Sequence, residues 1–475
     1  MSALADLYIN GIWRAGSSGE RFDVVNPSDA SVIARFAVAT HDDCMAAVAA
    51  AAAAQESWSA TSPRERSELL RDAFEVLRAE ADTMTAIIAQ ENGKSWADAE
   101  GEAAYATEFF RWFAEEAVRV PGEYRLSPGG DKRIVVDRQP IGVSLLVTPW
   151  NFPAAMATRK LAPALAAGCT TILKPARETP LTAAFVVEVL ERVGVPGGVV
   201  NLVTPRPTGP LVQAMLDRPE VRKLSFTGST EVGRILLHGC ADSVVSASME
   251  LGGNAPLVVL PGADLDVTVA GALLAKMRNG GAACTAANRF YVHSSLHDEF
   301  VARMDAALGA VSVGSGLDRA NDLGALVSVE ERDKVAALVD RAVASGARVV
   351  RGGSSSPIGA FYDATLLTGV QHGSEITTTE IFGPVTAVVP YDDIDEAVHM
   401  ANDTEFGLMA YVFGEEREAM AVARRLEAGM VAVNRGVVSD PAAPFGGVKQ
   451  SGLGREGSSE GILEFLEEKY IALTA

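Results

Sequence analysis

The chain has few cysteines and few histidines, which limits the disulfide and metal chemistry it can support. Four of its 475 residues are cysteine and six are histidine. The cysteines show no CxxC spacing, which suits a reducing cytoplasm and provides no zinc cage. His293 and His297 are four residues apart, but the Ser294-Ser295 pair between them is typical of a helix cap, and no HExxH motif occurs. We therefore expect no metal site.

Long apolar runs, a secretory signal and an excess of basic residues are missing as well. The longest apolar run, Cys44–Ala54, falls well short of the ~20 residues that cross a membrane. Met1–Asn10 lacks the basic region and apolar core of a signal peptide. With 41 basic and 61 acidic residues the formal charge is −20, so nucleic acids and anionic membranes are poor partners. These absences predict a cytoplasmic protein without nucleic-acid or membrane partners.

From about residue 135 onward, short runs of Val, Ile and Leu alternate with alanine-rich helical stretches. This alternation is typical of βαβ units around a parallel sheet. A first series of predicted strands covers 141–147, 170–173, 199–203 and 221–226. A second α/β series runs from about Ala255 to Asn434, and the first 120 residues are mostly helical after a strand at Leu7–Trp13. Lys132–Gln139 and the tail Ile462–Leu473 are predicted as further strands.

Cys284 ends a run of small residues that begins at Asn279, and an isolated acid, Glu250, precedes the glycine pair Gly252-Gly253. A thiol nucleophile needs backbone that lets a substrate approach closely, and a base that activates the thiol or the attacking water. Together the two features are a candidate nucleophile and base. The alternative for an isolated cysteine is an inert, buried small residue.

Two segments at predicted strand ends suit the phosphates of a nucleotide. Phe226–Gly233 passes from strand to helix through Gly228 and Ser229, where N–H groups and the helix N-terminus can hold a pyrophosphate. A plain capped helix start is the alternative, and neither GxGxxG nor a Walker lysine is present. Lys174 and Arg177 follow another strand, where they form either a site for an anionic group or a solvated loop. A basic residue accommodates a 2′-phosphate, so Arg177 favours NADP.

The loop Thr148–Pro153 also follows a predicted strand and contains a candidate oxyanion donor. The Asn151 amide could contribute about 2.7–4 kcal/mol to an oxyanion when it is preorganised. Asparagine and proline also dominate ordinary turns, which is the alternative interpretation. The acids Glu91, Glu100 and Glu102 lie on a predicted amphipathic helix, and we expect them to solvate its outer face.

Taken together and in this order, the motifs make the chain similar to the aldehyde dehydrogenases over nearly its whole length. The matching segments are Thr148–Pro153, Lys174–Pro180, Phe226–Gly233, Glu250–Gly253, Gly281–Cys284, Glu380–Pro384 and Pro444–Gly454. More narrowly, residues 156–160, 287–290 and 452–457 resemble succinate-semialdehyde dehydrogenases. The resemblance implies oxidation of succinate semialdehyde to succinate through a cysteine thiohemiacetal and thioester, with NADP, or alternatively NAD, as cofactor.

The resemblance also implies roles for individual residues. Cys284 would attack the aldehyde carbon, Asn151 and the Cys284 N–H would hold the oxyanion, and Glu250 would activate water against the thioester. Lys160 would relay the proton from the base together with Glu456. Glu380 would hold the nicotinamide ribose. The other cofactor-binding residues implied are Trp150, Asn151, Lys174, Arg177, Gly228, Ser229 and Leu251.

Substrate recognition is implied for Arg159 and Arg289, which would clamp the free carboxylate of a dicarboxylic semialdehyde. Ser439 would add a hydroxyl donor. A structural ion pair is the alternative for either arginine. The chain departs from the family pattern at Ala286, where succinate-semialdehyde dehydrogenases often have a second cysteine able to form a disulfide. It also departs at Arg177, where the wider family often has an acid.

The implied α/β architecture has three parts. These are a Rossmann-type cofactor domain (residues 1–119 and 140–252), an α/β catalytic domain (253–452) and a small β oligomerisation extension (120–139 and 460–475). The extension would pair between subunits, so we expect a homodimer or homotetramer. An NAD(P)-dependent dehydrogenase for another aldehyde, whether aromatic, aliphatic or glutarate semialdehyde, is the alternative activity. A non-catalytic binding or structural protein on the same scaffold is the alternative class.

Overall fold

The computed structural model describes residues 5–475, and its strands form two large sheets and three small ones. The α/β pattern predicted from the sequence is confirmed. The elements of the first half are β1 (Leu7–Ile9), β2 (Ile12–Arg14), β3 (Arg21–Val25), β4 (Val32–Ala37), α1 (His41–Ala60), α2 (Pro63–Ala79), α3 (Ala81–Asn92), α4 (Trp96–Glu116), β5 (Glu123–Leu126), β6 (Lys132–Pro140), β7 (Val143–Val147), α5 (Pro153–Ala167), β8 (Thr171–Lys174), α6 (Pro180–Arg192), β9 (Val200–Leu202), α7 (Thr208–Leu216), β10 (Val221–Thr227), α8 (Thr230–Ser243) and β11 (Ser246–Glu250).

The second half continues with the same alternation. Its elements are β12 (Ala255–Val259), α9 (Leu265–Met277), a 3-10 turn (Arg278–Gly281), β13 (Ala287–His293), α10 (Ser294–Gly309), α11 (Val329–Ala344), β14 (Arg348–Arg351), β15 (Thr365–Thr368), α12 (Glu375–Thr378), β16 (Val385–Tyr391), α13 (Ile394–Asn402), β17 (Phe406–Gly407), β18 (Met409–Phe413), α14 (Glu416–Ala423), β19 (Met430–Val433), β20 (Val448–Lys449), β21 (Gly452–Leu453), α15 (Glu460–Leu463) and β22 (Leu466–Thr474).

The first large sheet has the strand order β2-β1-β9-β8-β7-β10-β11-β21. Strands β9, β8, β7, β10 and β11 run parallel to their neighbours in this list. The chain moves outward from β7 through β8 to β9, then returns to the other side of β7 with β10. Ligands of open α/β sheets bind at the carboxyl ends of the strands where the order reverses in this way. The fold therefore places a candidate site between β7 and β10.

The second large sheet has the order β14-β15-β16-β13-β12-β18-β19, and only its edge strand β14 pairs antiparallel. A third sheet, β22-β6-β5, is antiparallel and largely exposed. The predicted strands at Lys132–Gln139 and in the tail are confirmed, because β6 and β22 pair along Leu466–Thr474. Within residues 5–475, no helix has the length and apolar character that crossing a membrane requires.

Candidate active site

A cleft of about 550 Å³ lies at the carboxyl ends of β7, β8, β10 and β11. Its walls contain most of the residues predicted to act on a substrate or cofactor. These are Trp150, Asn151, Lys174, Arg177, Gly228, Ser229, Leu251, Cys284 and Glu380. They come from separate segments of the chain, and the parallel arrangement of the strands brings them together. The segment after β11 crosses to β12, and the second half of the chain contributes Cys284, Glu380 and Phe382 to the walls from outside its strands.

The nucleophile candidate, Cys284, sits just after a tight turn of unusual backbone. Asn279 has φ 57°, and Gly280 and Gly281 have φ 59° and 75°, so three successive residues adopt the left-handed region. Glycine tolerates this region without steric cost, and asparagine tolerates it better than most residues. A Cβ atom on Gly253 would lie 2.3 Å from the Cys284 carbonyl oxygen. Gly253, three residues after the predicted base Glu250, therefore leaves room for the backbone of Cys284.

The thiol of Cys284 is protonated at neutral pH in this state. Burial raises its pKa to about 12, the charges of Glu380 and Glu250 act in the same direction, and Arg159 opposes them. A base is therefore needed. Glu250 is 3% exposed, and its Oε2 has no hydrogen-bond partner among residues 5–475. Burial and the nearby Glu456 hold the pKa of Glu250 well above its usual range, so its carboxylate is a stronger base than that of an exposed glutamate.

Behind Glu250 lies a buried set of charges. Lys160 Nζ is 2.5 Å from Glu456 Oε1 and donates to Ser225 Oγ at 2.9 Å. Arg159 Nη1 lies 3.4 Å from Glu456 Oε2. Burial alone would raise the pKa of Glu456, but Lys160 and Arg159 hold it below its usual value. The two neighbouring carboxyl groups thus differ in proton affinity, which is the arrangement that moves a proton along a chain.

Asn151 is buried at the start of the loop that leads into α5. Its Nδ2 donates to Ala282 O at 3.2 Å, and its Oδ1 has no partner within the described chain. A side-chain amide carries two N–H donors. One of them remains available after the bond to Ala282, which lies two residues before Cys284. The predicted oxyanion donor is therefore close to the nucleophile and has donor capacity to spare.

At the other end of the cleft the lining is basic. Lys174 ends β8, and Arg177 follows on the exposed loop. Burial lowers the pKa of Lys174, and Glu178 opposes that shift. Between the two ends, Ser229 caps α8 by accepting a hydrogen bond from Val232 N at 3.4 Å. The capped helix start is therefore real, and it also borders the cleft, so the two interpretations of this motif are compatible.

Glu380 completes the end of the cleft that contains Cys284. Its Oε1 accepts from Gly253 N at 3.2 Å, and burial raises its pKa to about 7. A Cβ atom on Gly252 would lie 3.1 Å from Glu380 Oε2, so the glycine leaves this carboxylate its space. The partly exposed Glu380 near Cys284, the helix N-terminus at Ser229 and the cations Lys174 and Arg177, which lie beside the acid Glu178, fit an extended dinucleotide with an additional phosphate.

The prediction that Arg289 contacts the substrate is wrong. Its side chain is fully buried on β13 and donates to three backbone carbonyls. The distances are 3.0 Å to Asn254 O, 2.9 Å to Met400 O and 2.9 Å to Ala401 O. These bonds use the guanidinium to join β13 to the end of α13. Arg289 therefore has a structural role. It bonds backbone carbonyls and does not form the ion pair that was the alternative interpretation.

Arg278 was missed, and it lies where Arg289 was expected. It begins the turn that leads to Cys284, and its charge opposes the rise in the pKa of that thiol. Its Nη1 donates to Ser439 Oγ at 3.1 Å, and its guanidinium lies 5.1 Å from the Phe152 ring centroid. The sequence did contain a signal, because Arg278 is a cation directly preceding the small-residue run.

Arg159 does lie near the nucleophile, on the buried face of α5. Its Nη2 donates to Tyr105 Oη at 2.7 Å, and its guanidinium stacks 4.1 Å from the Phe445 ring centroid. Its Nε is buried and has no partner among residues 5–475. Arg159 and the Arg278–Ser439 pair therefore form a polar group around Cys284, distinct from the basic end of the cleft.

Comparison with known proteins adds four findings. Residues 13–471 match the profile described as the aldehyde dehydrogenase family. The chain is 48% identical over 446 residues to a succinate-semialdehyde dehydrogenase of Paenarthrobacter nicotinovorans, covering 93% of this chain and 99% of the relative. It is 42% identical over 468 residues to a glutarate-semialdehyde dehydrogenase of Pseudomonas aeruginosa, covering 98% and 97%. The crystal structure of an E. coli NADP-dependent enzyme superposes with a TM-score of 0.97 at 42% identity, covering 99% of this chain and 98% of that chain.

Proposed function

This chain belongs to the aldehyde dehydrogenase family, and we propose that it oxidises succinate semialdehyde to succinate with NADP. Members of the family act on small-molecule aldehydes. The observation that carries the choice of substrate is Arg278, which begins the turn leading to Cys284 and donates to Ser439 Oγ at 3.1 Å; the buried Arg159, whose Nε has no partner among residues 5–475, adds a second guanidinium. An aldehyde with a second, ionised carboxylate a few bonds away offers a partner to a guanidinium at this position. An uncharged aldehyde does not.

The chemistry proposed for the site uses the residues in two half-reactions. Glu250 accepts the thiol proton as the Cys284 sulfur bonds the aldehyde carbon, and Asn151 and the Cys284 N–H donate to the oxyanion. Bound NADP would supply the hydride acceptor, which leaves a thioester on Cys284. Glu250 then releases the thiol proton, and as a carboxylate again it takes a proton from the water that cleaves the thioester, after which the acid product departs. The 2.5 Å Lys160–Glu456 pair offers each of the two protons a route to solvent.

The choice of NADP is supported by Arg177 and Lys174 at the far end of the cleft. The chain has a formal charge of −20, which repels an anionic ligand. Local cations are therefore needed where an additional phosphate binds. Glu380, Trp150, Gly228, Ser229 and Leu251 would complete the cofactor site. A similar solved structure is described as NADP-dependent. NAD remains the alternative cofactor, and binding of both to the purified protein tests the choice.

The substrate assignment is tested by comparing succinate semialdehyde with butyraldehyde, which lacks the carboxylate. One or two charge-assisted hydrogen bonds predict a kcat/KM about 100-fold higher for succinate semialdehyde. An Arg278→Met variant should lose most of that preference, whereas its kcat/KM for butyraldehyde should change little. Arg289→Lys, at a buried position away from the site, is the matched control. Equal efficiencies for the two aldehydes in the native protein would contradict the assignment.

Glutarate semialdehyde is the second candidate substrate, because a relative 42% identical to this chain carries that activity in its name. It has one more methylene than succinate semialdehyde, and a methylene changes discrimination by only about 10–200-fold. Including it in the same substrate series separates chain length from charge.

We also propose three domains. Residues 1–119 and 140–252 form the cofactor domain, residues 253–452 form the catalytic domain, and residues 120–139 and 460–475 form the oligomerisation extension. This division is supported by the separation of the first large sheet, the second large sheet and the β22-β6-β5 sheet. The exposed faces of that third sheet support a homodimer or homotetramer. Light scattering of the purified protein tests the oligomeric state. A cytoplasmic location accords with the four free cysteines found among the described residues.

A further inference from the structure

The backbone of the Trp150–Asn151 loop is held by side chains from a distant part of the chain. Asn92 Nδ2 donates to Trp150 O at 2.9 Å, and Lys94 Nζ donates to Asn151 O at 2.7 Å. Asn279 Nδ2 donates to the same Asn151 carbonyl at 3.0 Å. Four of these five residues are at most 4% exposed, and Trp150 is half-buried. The carbonyl of the oxyanion donor therefore has two dedicated donors.

Lys94 is itself fixed by an acid that also holds the far side of the loop. Its Nζ lies 2.5 Å from Glu102 Oε2 and 4.4 Å from the Phe152 ring centroid. Glu102 Oε1 accepts from Ala154 N at 2.8 Å and Ala155 N at 3.3 Å. The N-cap residue of α5 makes no side-chain cap of its own, so Glu102 supplies the cap from another helix. One buried ion pair thus holds the backbone on both sides of Phe152-Pro153, at the Asn151 carbonyl and at the Ala154 and Ala155 amides.

Stability alone is a poor explanation for this ion pair. Removing two charges from water costs several kcal/mol for each ion, and a well-packed apolar pair of the same volume is often as stable or more so. An apolar pair could not bond a carbonyl and two N–H groups at once. Here those three groups are the carbonyl of Asn151 and the two amides that follow it at residues 154 and 155. Small misplacements of a catalytic group cost up to about 10²-fold in rate.

We propose that Lys94 and Glu102 are positioning residues that set the Asn151 amide for the oxyanion formed on the Cys284 adduct. The inference rests on the proposed role of Asn151. Lys94 fixes the Asn151 carbonyl, and Glu102 fixes the amides that follow, so the Cα–Cβ bond of Asn151 has one direction. Asn279 extends the same network to the nucleophile, because its Nδ2 also donates to Ala282 O at 2.7 Å.

The test is a double-mutant cycle. The paired variant Lys94→Met with Glu102→Gln removes both charges, so no unpaired ion remains in the interior. It should lower kcat about 10–100-fold through the misplaced donor, while KM for NADP changes less than about twofold. In an Asn151→Ala background the same pair of changes should lower kcat less than about twofold, because the group that it positions is already gone. Equal factors in the two backgrounds would overturn the positioning role.

Two further measurements keep the outcome unambiguous. Asn92→Ala removes only the bond to Trp150 O and tests the same loop if the paired variant does not fold. It too should lower kcat more in the native background than in Asn151→Ala. Arg66→Met is the matched control, since buried Arg66 donates to Ala166 O at 3.0 Å at the opposite end of α5. It should lower the unfolding temperature without changing kcat. Full kcat in Asn151→Ala itself would overturn the oxyanion assignment, and with it this inference.

Discussion

Two consecutive helices of the N-terminal region each carry a buried glutamate that caps a later helix. Glu102 on α4 caps α5 and bonds Lys94. Glu91 on α3 caps α6 by accepting from Leu181 N and Thr182 N, both at 2.8 Å, and no cation bonds it within residues 5–475. The caps are alike, but only the one beside the oxyanion donor has its charge balanced. A counter-ion is present where a helix start must be held in a fixed position for chemistry.

The largest effect expected from replacing either capping glutamate is a loss of stability. Glu102→Leu leaves Lys94 buried without its partner and frees two N–H groups, so the apparent free energy of unfolding should fall by about 3–5 kcal/mol. Glu91→Leu frees two N–H groups but strands no cation, and should cost only about 1–2 kcal/mol. Urea denaturation of both variants, followed by tryptophan fluorescence, measures the difference. An equal or larger loss at position 91 would show that the ion pair is irrelevant to the cap.

The unbalanced charge of Glu91 should also make stability depend on pH. Burial raises its pKa to about 8, against the lowering effect of its bonds to Thr182 and Leu181. A carboxyl whose pKa is higher in the folded than in the unfolded state stabilises the fold at low pH and loses that contribution as pH rises through the folded value. From about pH 4.5 to 8, the native protein should therefore lose stability relative to Glu91→Gln. Melting curves across that range should show the variant gaining about 2–4 °C, and parallel curves would contradict the raised pKa.

Glu380 extends the comparison to a third glutamate, which is only partly buried, and the effect expected there is the smallest. Desolvation raises its pKa to about 7, and the hydrogen bond from Gly253 N and the charge of Lys276 oppose that rise. As pH falls through about 7 the carboxylate takes up a proton and becomes a weaker acceptor for ribose hydroxyls. The Kd for NADP should therefore rise several-fold between pH 8 and pH 6. Fluorescence titration of Glu380→Gln should show weaker binding at pH 8 and little change with pH.

Much of the site could be predicted from sequence because parallel strands place their carboxyl ends at one edge. Asn151, Lys174 and Gly228 each lie just after or at the end of a predicted strand, so strand prediction alone brought these three together. Glu250 ends β11, a strand that the sequence did not predict. Cys284 needed the small-residue run before it. The seven ordered motifs then fixed the family, which the comparisons confirm.

The failures come from contacts that sequence spacing does not encode. Arg289 lies on a strand, but the sequence does not show that its guanidinium faces the carbonyls at the end of α13, 111 residues away. Arg278 contacts Ser439 across 161 residues. The expectation that Glu91 and Glu102 solvate a helix surface is wrong, since both are buried, whereas Glu100 is exposed as expected. Their partners are backbone amides, which leave no trace in a pattern of side chains.

The glycine pair after Glu250 has a mechanical consequence. Residues 251–254 connect β11 of one large sheet to β12 of the other, and Gly253 lies against the Cys284 carbonyl. Glu250 ends the strand before this short connection, so a rotation of one sheet relative to the other would displace the carboxylate from the segment that carries the sulfur. Wide opening at this point would therefore disassemble the reactive pair.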